Sequence, residues 1–75
     1  MKNNYPNSLE QMEELLAHEL NNRSLTSTCK LITILMMDTV DKAHRLMEWL
    51  ENNPEAGQNE ILAIAVEISP EPEEV

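Results

Sequence analysis

Phenylalanine is absent from this chain of 75 residues, and glycine, cysteine, tryptophan and tyrosine occur once each. One glycine, Gly57, leaves no material for a glycine-rich phosphate loop. One cysteine cannot close an internal disulfide. Cys29 falls among apolar residues at helical spacing and reads as a small buried hydrophobe rather than a reactive thiol. No apolar run approaches the ~18 residues of a membrane span. At the N-terminus Lys2 is followed by Asn, Tyr and Pro, without the apolar stretch of a secretory leader. These absences favour a cytoplasmic protein.

Positive charge is also scarce. Five Lys and Arg face fourteen Asp and Glu, for a net charge of −9. All five basic residues lie in residues 1–45, which balance to −1, whereas residues 46–75 carry −8. A basic footprint for nucleic acid is therefore missing, and anionic lipid is an equally poor partner. A basic protein surface would be attracted.

Catalytic constellations are missing too. Neither histidine stands in a context that marks it as a base beside a nucleophile. A chain of a few short helices has little room to enclose a substrate pocket of several hundred Å³. Asp41, His44 and Glu48 share a helical face, as do Glu14 and His18, and carboxylate–histidine spacings of this kind occur in bundle metal sites. Here they lie among other charged residues and read as solvated faces. The expectation is no enzyme, no cofactor and no metal.

What the chain does have is helical periodicity. Over residues 25–50, Leu25, Cys29, Ile32, Met36, Val40, Ala43, Met47 and Leu50 recur at threes and fours, which places them on one stripe. Leu31, Leu35, Leu46 and Trp49 widen it along one edge. Lys30, Thr33, Asp38, Asp41, His44, Arg45, Glu48 and Glu51 fall opposite. Asp38 with Lys42 and Asp41 with Arg45 are spaced for surface ion pairs. Read as one helix, this stretch is about 39 Å long, more than a domain of this size needs. Ile34 and Met37 fall outside the stripe, on the charged side.

Two flanking helices are expected. Ser8 and Gln11 make a capping-box pattern, and Leu9, Met12, Leu15, Leu16 and Leu20 follow at helical spacing, so a first helix runs from Leu9 to about Asn21. Ser24 or Thr26 can cap the central run. Asn52-Asn53-Pro54 ends it, because the residue before proline is pushed out of the helical region. Residues 58–69 fit both a helix and an alternating strand. Helix is preferred, since a lone strand would leave its backbone ladder unpaired.

The sequence therefore predicts an all-α fold. It has three helices with a long central one, completed by dimerisation, because so short a chain forms a marginal core alone. Residues 1–7 form a loose N-terminus, 8–69 one helical domain, and 70–75 an acidic, proline-spaced tail expected to be disordered. The expected function is a non-enzymatic protein–protein interaction module acting as a homodimer, with Ile34, Met37, Leu31 and Trp49 as interface candidates. The alternative is an acidic inhibitor or adaptor that occupies a basic, nucleic-acid-binding site on another protein, in the manner of small phage anti-defence proteins. Glu48, Glu51, Glu55, Glu60 and Glu67 would then face the partner.

Overall fold

The computed structural model of the chain describes residues 5–70, and these form four helices with no strand among them. They are α1 (Leu9–Asn21), α2 (Ser27–Met36), α3 (Val40–Asn52) and α4 (Gln58–Ile68). The first helix starts where its capping signal stands: the Ser8 hydroxyl accepts the Gln11 N–H at 3.3 Å. The ambiguous segment at residues 58–68 is helical. Its N-cap is Gly57, whose own N–H donates to the Glu60 carboxylate at 2.9 Å. Asn53 and Pro54 lie between the end of α3 and this start. The acidic tail from residue 71 and residues 1–4 lie outside the described residues.

The long central helix is two helices. It breaks at residues 37–39. Thr39 adopts an extended backbone and its hydroxyl accepts the Lys42 N–H at 3.2 Å, an N-cap for α3. Thr26 caps α2 in the same way, accepting from the Cys29 N–H at 3.1 Å. Asp and Thr side chains offer the backbone an alternative to helical hydrogen bonds, so an Asp-Thr pair favours a cap over a helix interior. The expected three-helix arrangement is thereby corrected to four shorter helices. None of them is long and apolar enough to cross a membrane.

α1 packs against α2 and α3, and α4 packs against the same two, whereas α1 and α4 do not touch. Where the helices end is set by hydrogen bonds between them. Arg23, just past α1, donates to the carbonyls of Leu50 and Asn53 at 2.9 and 3.1 Å and pairs with Glu19 at 2.9 Å. Both carbonyls also accept a backbone N–H, from Asn53 and Ala56 at 3.1 Å each, so Arg23 adds a tie between the end of α1 and the end of α3. At the start of α2, the Thr26 N–H donates to the Gln58 side chain at the start of α4. The N-terminal segment is attached as well. Tyr5 donates to Glu51 at 2.7 Å, and the Pro6 carbonyl lies 2.7 Å from His44 Nε2.

The core is built from Met12, Leu16 and Leu20 of α1, Met37, then Ala43, Leu46, Met47 and Leu50 of α3, and Ile61, Ala65 and Ile68 of α4. In α3 the buried residues follow the predicted stripe. In α2 they do not: Cys29, Thr33 and, just beyond the helix, Met37 point inward at steps of four. Ile32, expected in the core, is 43% exposed, and Met36 and Val40 are only partly covered. The break frees α2 to turn about its axis relative to α3, so the two halves no longer share one inward face.

Candidate functional site

Two surfaces stand out from the ordinary charged exterior. The first is the outer face of α2. Leu31 is 59%, Leu35 67% and Ile32 43% exposed. At about 100° per residue these three fall within one arc of roughly 100°. On α4, Ile64 lies on the α3 side beside Trp49. Leu62 and Val66 fall on the flank of α4 away from Ile64, and Val66 is 56% exposed. Single exposed apolar residues are ordinary, but clustered ones mark interaction sites. A helix apolar on both its inner and its outer face is normally enclosed.

This face has a further property. From Leu20 to Met37 the chain contains no acidic residue, although it carries fourteen elsewhere. The one charge on α2, Lys30, is turned towards the end of α1, where its ammonium donates to Asn21 at 2.9 Å.

The second surface is a groove along the α3–α4 seam with Trp49 at its centre. An open depression of about 420 Å³ is lined by Trp49, Pro54 and Ala56, with Asn52, Asn53, Glu55 and Glu60 around it. A second, of about 300 Å³, is lined by Trp49, Ala63 and Ile64 between Glu60 and Glu67. Trp49 and Glu60 line both, so the two adjoin. A smaller one, of about 240 Å³, is lined by Trp49, Asn52, Glu48 and Arg45. Trp49 is half-buried and rests against the core, held where the Asn53 side chain donates to its carbonyl at 2.8 Å.

A scan against protein-family models and searches of characterised proteins and of solved structures find no match to this chain. What the two surfaces do is therefore argued from their chemistry.

Of the four interface candidates, Leu31 is on the exposed α2 face and Trp49 is in the groove. Met37 is wholly buried, in the core rather than on a surface. Ile34 is partly buried and packs on that core. An unbroken helix would place both outside; the turn of α2 brings them in and Leu31, Ile32 and Leu35 out. Of the acidic candidates, Glu48, Glu55, Glu60 and Glu67 surround Trp49. Glu51 does not join them; its carboxylate accepts from Tyr5. The residues that spacing alone missed are Ile32, Leu35 and Val66. The signal that would have found Ile32 and Leu35 is the Asp38-Thr39 cap; Val66, on α4, has no such local signal.

The aligned Asp41, His44 and Glu48 do not converge either. His44 meets Pro6 and stacks at a tilt on Tyr5, with ring centres 5.5 Å apart. Asp41 lies 3.8 Å from Arg45. Among the described residues no three His, Cys, Asp or Glu side chains come together in a way that could hold a metal ion.

Proposed function

We propose that this chain is a non-enzymatic protein-interaction module that works as a homodimer, pairing through the outer face of α2 and the adjoining flank of α4. The observation that carries this reading is the exposure of Leu31, Ile32 and Leu35 together on α2, inside the stretch from Leu20 to Met37 that holds no acidic residue. Two copies of a chain at −9 repel each other over most of their surfaces. They approach at least electrostatic cost where neither presents a carboxylate. In a twofold pair the same patch meets itself, so every side chain there is used twice. Burying apolar area at about 25 cal/mol per Å² then adds to a core that is small for one chain. A reducing, cytoplasmic setting suits this reading, since Cys29 stays a buried thiol within the helix that pairs.

The test is molar mass by light scattering at high micromolar concentration. The wild-type chain is expected at twice 8.6 kDa. Leu31→Glu with Leu35→Glu is expected at the single-chain mass with its helical circular dichroism unchanged, because neither side chain contributes to the buried core. A wild-type chain that stays at 8.6 kDa overturns the homodimer.

A further inference from the structure

The Trp49 groove, on the α3–α4 seam, lies away from the outer face of α2, since α3 and α2 do not touch. Its chemistry is unlike that of the α2 face. Glu48, Glu55, Glu60 and Glu67 line it, all exposed, against a single cation, Arg45. Arg45 is itself turned towards Asp41 on its own helix. The floor between the carboxylates is apolar: the indole of Trp49, Ala56, Ala63 and Ile64.

We propose that this groove docks a basic segment of a partner protein, with one Lys or Arg side chain laid against the Trp49 indole and its charge met by Glu60. An indole face attracts a cation, most strongly when the pair is partly withdrawn from water. The methylene stem of Lys or Arg suits the apolar floor while its head reaches the carboxylates at the rim. Glu60 and Glu67 are two helical turns apart, about 10 Å at 1.5 Å per residue. Three residues of extended chain, at about 3.3 Å each, cover that distance. Side chains of an extended segment alternate between its two faces, so the matching segment carries its second basic side chain two or four positions from the first, on the same face. An acidic peptide or a nucleic-acid backbone meets repulsion from the same four carboxylates.

Because Trp49 is the only tryptophan, its emission reports on the groove directly. The full chain is titrated with an eight-residue arginine peptide at low salt. A saturable change in Trp49 emission is expected. Glu60→Gln with Glu67→Gln is expected to raise the dissociation constant at least tenfold. The control is Glu10→Gln with Glu14→Gln on α1, which removes the same charge from a helix that does not touch α4, and it is expected to raise the constant less than twofold. All four glutamates lie outside the core, and thermal melts of both variants check that they fold like the wild type. No saturable change in emission, or equal weakening by the two double variants, overturns the proposal; the second result would mean that the peptide reads only net charge. Oligomeric state is not the readout, so the proposed pairing through α2 and the docking stand or fall separately.

Discussion

Thr33 is the most conspicuous residue of the core. It is fully buried, and its hydroxyl has no hydrogen-bond partner. A buried polar group left unsatisfied costs about 1–3 kcal/mol in desolvation. Thr33→Val keeps the shape and removes the hydroxyl, so it is expected to stabilise the chain by about 1 kcal/mol in chemical denaturation. A loss of stability would mean that the hydroxyl is bonded in solution. The pair of Asp38 and Lys42 behaves differently. Lys42 is buried at the start of α3, and its ammonium donates to Asp38 at 2.9 Å. That hydrogen bond first, and the charge second, hold the Asp38 carboxyl below its usual 3.8. A carboxyl with a lowered folded value contributes stability that is fully present above pH 3.8 and is lost as the pH falls through that folded value. Asp38→Asn is therefore expected to melt below the wild type at neutral pH. The gap should narrow when both are melted at successively lower pH below 3.8. A gap that stays constant in acid would show that Asp38 acts here without its charge.

At the scale of the element, the break between α2 and α3 decides which side chains are inside. Ile32 and Met37 make the contrast measurable. Truncating a packed core residue to Ala costs roughly 2–5 kcal/mol, so Met37→Ala is expected in that range. Ile32→Ala, at a site 43% exposed, is expected to cost less than about 1 kcal/mol in the monomer. The reverse order, read from denaturation midpoints at low protein concentration, would restore a single continuous helix. The first helix, the helical state of residues 58–68 and the inward face of α3 were all legible, because each rests on local signals: the Ser8 cap, apolar spacing, and the lack of a strand partner. The break was not legible from periodicity, since Met36, Val40 and Ala43 keep steps of four and three across it. A template of spacings cannot register an interruption that preserves the spacing. The signal was chemical instead, in Asp38 and Thr39, two short polar residues at the centre of an apolar run. Thr33 is polar yet fully buried, so polarity alone points the α2 face the wrong way. The groove was half legible. Trp49 and its surrounding glutamates could be named, but their convergence depends on how α4 crosses α3, which no local pattern specifies.

For the whole molecule, the uneven charge separates the two proposed interactions by the sign of their salt dependence. Self-association brings together two bodies of like charge, each at −9, through a face that contributes almost none of it. The attraction there is apolar and the opposition is long-range. The Debye length falls from about 30 Å at 0.01 M salt to about 10 Å at 0.1 M and 3 Å at 1 M, distances to be set against a body 37 × 27 × 22 Å in extent. At low salt the glutamates of one copy act on those of the other across the whole pair, and at high salt they do not. The dimer is therefore expected to tighten as sodium chloride rises from about 0.01 M to 0.5 M, a range over which screening of exposed charges becomes nearly complete. Docking of a basic segment in the Trp49 groove is driven by opposite charges and is expected to weaken over the same range. Sedimentation equilibrium measures the first and Trp49 emission the second, on one preparation and in one set of buffers. If the dimer loosened with added salt, charge pairs would be holding it, and the acid-free face of α2 would not be where the copies meet.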